Sequence, residues 1–177
     1  MDFILFRSLF ALCLFSVVLS MPGYYGPKPR YVPCPNGWMR FRDSCYYFER
    51  KKMTFDKAEV RCLERDSMLF MADSVEEWNA IMKHTPTNYF TWAGLKQREG
   101  EREPRWTSPG GIKATQIDWM STGLSGWNEN AKCVARYNSD ASKPYSSFYF
   151  CGMDFFSVCE KNATLIHDLW DEGDRGF

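Results

Sequence analysis

"CPNGWMRFRDSCYYF", residues 34–48, is the stretch on which the fold turns. Two cysteines enclose a Gly-Trp pair, and the second opens "SCYYF" (44–48), an aromatic-rich run that favours a strand. Upstream, "MPGYYGPKPRYVP" (21–33) holds four prolines, two glycines and three tyrosines. Proline removes backbone donors and favours extended geometry, so residues 21–33 read as a Pro/Tyr-rich arm, and the folded body starts at Cys34. Before the arm, residues 1–20 carry Arg7, an apolar run from Leu9 to Leu19, and Val18 and Ser20 at small-residue positions. That pattern predicts a signal peptide cleaved after Ser20. The apolar run is too short for an uncleaved anchor, so a secreted, extracellular chain with no membrane span in its mature part is expected.

Downstream, the cysteines and the periodicity set the organisation. Cys13 belongs to the signal peptide, which leaves Cys34, Cys45, Cys62, Cys133, Cys151 and Cys159. An even number in a secreted chain reads as three disulfides, with the connectivity open on arithmetic alone. None has the close paired spacing of a zinc or redox site, so no metal site is expected from the cysteines. Thr54 is an N-cap candidate, and Phe55, Ala58 and Cys62 follow on one helical face. In "SVEEWNAIMK" (74–83), Ser74 and Glu77 have capping-box spacing, and Trp78, Ile81 and Met82 form an apolar stripe. "FTWAGL" (90–95) reads as a buried strand, and the alternating charges of "KQREGEREPR" (96–105) as an exposed loop. Residues 107–132 show little apolar periodicity, and a segment of that length inside a compact domain is usually a functional loop. "KCVARY" (132–137) and "FFSVCE" (155–160) are strand candidates. The acidic tail, residues 162–177, places Leu165, Ile166, Leu169 and Trp170 at helical spacing. It fits a docked helix or a disordered end equally well.

These motifs, in this order, resemble the C-type lectin-like domain in its long form. The resemblance rests on "CPNGW" with "SCYYF", "TFDKAEVRC", "DSVEEWNAI", "WAGL" (92–95), Trp106 and Trp119 beside the long loop, and "FFSVCEK" (155–161), and covers residues 34–161. It implies an α+β fold of two helices packed on small antiparallel sheets, with a long loop region for recognition. It also implies the pairing Cys34–Cys45, Cys62–Cys159 and Cys133–Cys151. Sugar-binding members of the family hold a calcium ion in that loop, and calcium needs six to eight oxygen ligands. Counted from Trp119, the family's Glu-Pro-Asn places hold Gly123, Leu124 and Ser125. The place two before Cys133 is Ala131, and the Asn and Asp places before Cys151 hold Ser147 and Phe148. No carboxylate or amide stands at any of them. A shifted site would have to use Asn128, Glu129 and Asn130 with Asp118, Asn138 or Asp140.

The loop region is aromatic and neutral instead. Trp127, Asn128, Glu129, Asn130, Tyr145 and Tyr149 are the candidate ligand-binding surface, while strand alternation leaves Phe148 and Phe150 divided between core and interface. Zero net charge argues against nucleic acid as a partner. Two histidines, His84 and His167, have no nucleophile beside them in sequence, so no catalytic residue and no enzyme activity are expected. "NAT" (162–164) makes Asn162 a candidate N-glycosylation site.

The expected function is a secreted recognition module that binds a protein or glycan ligand without calcium or any other cofactor, in an immune or extracellular-matrix setting. A structural matrix component is one alternative, suggested by the Tyr/Pro arm and by ten Lys/Arg against five Asp/Glu over residues 21–65. Calcium-dependent carbohydrate binding through the shifted site is a second. A subunit docked through Leu165–Trp170 is a third. Oligomeric state is left open.

Overall fold

The structure is a computed structural model, and it describes residues 33–101, 103–121 and 126–163. The expected signal peptide, the arm up to residue 32, the tail beyond Ala163, and Gly123, Leu124 and Ser125 lie outside the described residues. The elements run β1 (Met39–Phe41), β2 (Ser44–Met53), α1 (Phe55–Leu63), β3 (Met68–Leu69), α2 (Val75–Met82), β4 (Tyr89–Lys96) and β5 (Arg105–Trp106). A short 3-10 turn (Ala114–Gln116) follows, then β6 (Cys133–Asn138), β7 (Tyr145–Tyr149) and β8 (Phe155–Asn162). This is an α+β fold with the element order that the resemblance implies.

The strands join into one twisted network ordered β1-β2-β8-β4-β6-β7, with β3 beside β8 and β5 beside β4. All pairings are antiparallel except β4 with β8, where Thr91 faces Phe156 and Trp92 faces Ser157. That parallel contact fuses the small antiparallel sheets into a mixed one. Neighbouring residues of a strand fall in different apolar clusters. Val158, Ala93 and Val134 join one cluster, while Cys159, Trp92 and Ala135 join the other. The core is therefore split between the two faces of the sheet, as side chains alternating along a strand require.

Each helix covers one face. α1 buries Phe55, Ala58 and Cys62, as its spacing predicts. Its start differs from expectation, because Thr54 occupies the N-cap without a side-chain hydrogen bond. The exposed N–H of Phe55 donates instead to the Cys151 carbonyl at 2.9 Å, so a distant turn supplies the acceptor. α2 buries Trp78, Ile81 and Met82 and is capped by Ser74, whose hydroxyl accepts from the Glu77 N–H at 3.1 Å. The return half of the capping box goes elsewhere. Glu77 accepts from the Asp73 N–H at 2.6 Å and from the Tyr46 hydroxyl.

The three disulfides pair as the resemblance implies: Cys34–Cys45, Cys62–Cys159 and Cys133–Cys151. Within "WAGL", Gly94 is set by close approach, since a Cβ there would meet the Phe70 carbonyl oxygen at 2.7 Å.

Candidate functional site

The long segment between β5 and β6 is pegged down by tryptophans. Trp106 Nε1–H donates to the Ile112 carbonyl and Trp119 Nε1–H to the Ala114 carbonyl, both at 2.7 Å. The "PGG" turn fits around the first indole. Gly111 has φ +81°, and a Cβ on it would collide with the Trp106 ring. The end of this stretch is stitched to β7, where Ser146 N–H donates to Asp118 O at 2.8 Å and Met120 N–H to Ser146 O at 3.0 Å.

Beneath that seam lies a charge arrangement that sequence reading missed. Arg136 on β6 is 6% exposed, and its Nη1 lies 3.5 Å from Asp118 Oδ2. Lys143, on the turn before β7, sits 3.4 Å from the other Asp118 oxygen. The guanidinium also covers the Trp78 ring at 5.3 Å, and its Nε has no hydrogen-bond partner. Burial lowers the Arg136 pKa from its ordinary value, and the Asp118 charge acts against that. The available signal was Arg136 following the apolar run "CVA" (133–135) of a strand candidate.

The candidate surface residues do not gather in one place. Asn128, Glu129 and Asn130 are exposed on one turn. The Asn128 Oδ1 accepts from the Asn130 and Ala131 N–H groups, each at 3.0 Å, which closes that turn. Trp127 is half-buried against the larger core cluster with its Nε1 unpartnered, so only part of its ring faces outward. Tyr145 and Tyr149 lie on β7, away from the turn, in an aromatic row on the opposite face of the sheet. Tyr149 packs 4.8 Å from Phe90 and 5.4 Å from Phe155, and Tyr145 packs 5.5 Å from Tyr137. Burial, then Tyr145, raises the Tyr149 pKa. Phe148 is core at 6% exposure, whereas Phe150 is 60% exposed. The six residues therefore form two patches rather than one surface.

Several oxygen donors considered for a calcium ion are engaged or buried among the described residues. The Asn128 amide oxygen is committed to its own turn, and Asp118 stands between two cations. Ser147 and Phe148 are buried in β7, and among the described residues no three His, Cys, Asp or Glu side chains gather to hold a metal. His84 contacts the Phe48 ring at 6.2 Å, while His167 lies outside the described residues.

Comparison with known proteins agrees with this architecture. The family model described as the lectin C-type domain matches residues 51–161. The C-type lectin domain-containing protein 87 of Caenorhabditis briggsae is 41% identical over 145 residues, covering 76% of this chain and 62% of that protein. The C-type lectin domain-containing protein 88 of Caenorhabditis elegans is 39% identical, covering 77% and 64%. The chain thus spans less than two thirds of the length of these relatives. Among solved structures, the mouse scavenger receptor C-type lectin carbohydrate-recognition domain superposes with a TM-score of 0.63 at 28% identity, covering 73% of this chain and 96% of that one. A calcium-independent type II antifreeze protein shares the fold at 22% identity and a TM-score of 0.61, covering 73% and 95%.

Proposed function

The chain belongs to the C-type lectin domain family, and from that premise we propose that it is a secreted recognition module that binds a protein or glycan ligand without calcium. The domain type is a binding module. The observation that supports the calcium-independent reading is that two of the loop's oxygen donors are already engaged, while no three acidic, His or Cys side chains gather among the described residues. Asn128 Oδ1 closes its own turn, and Asp118 is neutralised by Arg136 and Lys143. A divalent ion would have to break these contacts and still lack the carboxylate set it requires. The exposed turn at Asn128–Asn130 and the outer part of Trp127 supply polar groups and an aromatic edge for contact. Such a mixture suits protein interfaces and sugar faces alike.

The predicted signal peptide and the three disulfides support secretion. No described helix is long and apolar enough to cross a membrane. Exposed Asn162, at the end of β8, is the proposed glycan attachment point. The absence of catalytic activity is part of the same proposal.

A binding screen of the secreted protein against glycan and extracellular-protein panels, run with calcium and with chelator, tests the reading. Binding of equal strength in both arms is expected, reduced by Trp127→Ala. Binding that disappears with chelator and is lost in Asn128→Ala would overturn it.

A further inference from the structure

Away from the long loop, a slot of about 200 Å³ opens where β2, β8 and β4 run side by side under the turn that follows α2. Its walls are apolar: Phe48 lies opposite Val158 in register, Phe156 lies beside Thr91, and Pro86 completes the lining. Its inner end holds buried hydroxyls with nothing to bind, those of Thr91 and Ser157, of which Ser157 alternates toward the face of the sheet that carries Cys159. Thr91 is 0% exposed, lines the slot, and its hydroxyl has no hydrogen-bond partner. Strand alternation turns Thr91 to the same face as Ala93, which packs in the cluster that contains Val158. A buried hydroxyl left unpaired is costly, so this end favours a ligand oxygen.

The mouth carries the opposite chemistry. Arg50 and His84 are exposed lining residues. Beyond the lining residues, Lys52 holds its ammonium 5.2 Å from the Phe156 ring and 4.1 Å from Tyr89. The one carboxylate among the lining residues, Glu49, is already taken by Arg65 at 2.9 Å and Arg61 at 3.5 Å. The rim therefore presents the Arg50 guanidinium with no free carboxylate beside it, the walls are apolar, and the Thr91 hydroxyl is buried and unpaired on the same face. A dry cavity of about 150 Å³ accepts a benzene ring, so this slot has room for one ring and a short link.

We propose that this slot binds a small hydroxyaryl carboxylate. Its acid group meets Arg50 at the rim, its ring fills the space between Phe48, Phe156 and Pro86, and its hydroxyl pairs with Thr91. The site is independent of the loop ligand, so it stands or falls separately from the recognition function.

Three probes test each part against the full secreted chain by NMR titration: 4-hydroxyphenylpropionate, 3-phenylpropionate and 4-hydroxyphenylpropanamide. The first should give saturable shifts confined to residues 48–50, 84–86, 91 and 156–158, with a dissociation constant of about millimolar size for so small a ligand. Removing its hydroxyl should weaken binding about three- to tenfold, and Thr91→Val should erase that difference while leaving the fold intact. Neutralising its acid should weaken binding about tenfold, and Arg50→Gln should erase that difference. Equal binding of all three probes, shifts centred on residues 126–131, or no saturable shift at all would overturn the proposal. The last result would mean that Thr91 is satisfied by a buried water alone.

Discussion

At the scale of single residues, the loop region depends on one carboxylate. Asp118 is the only acidic neighbour within ion-pair reach of the buried Arg136 guanidinium among the described residues, and it also receives Lys143. Breaking a buried pair strands a charge, though the 38% exposure of the Asp118 side chain softens the loss. Asp118→Ala should cost about 2 kcal/mol in urea unfolding, and adding Arg136→Met should restore most of it. An additive double mutant would contradict this coupling. Gly111→Ala is the second residue-scale test. It forces a Cβ into the Trp106 ring and an L side chain into positive φ, so a loss of about 2 kcal/mol or more is expected in the same measurement. Neither partnership was legible in the chain. Asp118 and Arg136 are eighteen positions apart, and only the pairing of Arg136 with Ser146 brings them together. The Asn128–Asn130 turn was legible, because Asn side chains close turns locally.

At the scale of elements, a buried acid pair fastens α2 to the sheet. Tyr46 on β2 donates to Glu77 on α2 and lies 3.4 Å from Glu160 on β8, whose other oxygen accepts from the Met71 N–H at 3.3 Å. Burial, then Glu160, raises the Tyr46 pKa, so the phenol keeps its proton and donates. The Glu160 carboxyl is pushed up to about 7 from a usual 4.5, first by burial and then by the Glu77 charge. Between those values the folded chain binds a proton that the unfolded chain has released. This contribution is fully present below the lower value and is lost as pH rises through the upper one. Wild type should therefore lose up to about 3 kcal/mol of stability relative to Glu160→Gln from pH 5 to pH 8, because the neutral amide does not titrate. A pH-independent difference would refute the assignment. The helices that make these contacts were readable from the spacing of Phe55, Ala58 and Cys62 and of Trp78, Ile81 and Met82. Two features were not: the Cys151 carbonyl that starts α1 and the parallel contact of β4 with β8. Both join segments distant in sequence, and local periodicity carries no information about such partners.

At the scale of the whole molecule, the disulfides close loops of very different size. Cys62–Cys159 spans 97 residues and Cys133–Cys151 spans 18. On loop-closure entropy, replacing the first pair by alanine should cost about 4–5 kcal/mol and the second about 3 kcal/mol, read by chemical denaturation. The reverse order would show that native packing, rather than chain restriction, governs their worth. The pairing itself was accessible only through resemblance to a family, since six cysteines do not select their partners by spacing. β8 then has a consequence for how the chain is made. It pairs with β2, β3 and β4 and carries Cys159. A ribosome delivers this strand after every other described element, so the growing chain holds its exposed sheet edges and an unpaired Cys62 until the final strand emerges. Early oxidation of Cys62 with a wrong partner is thus the hazard this topology sets for oxidative folding, and a disulfide isomerase should speed recovery of the native pairing in refolding of the reduced chain.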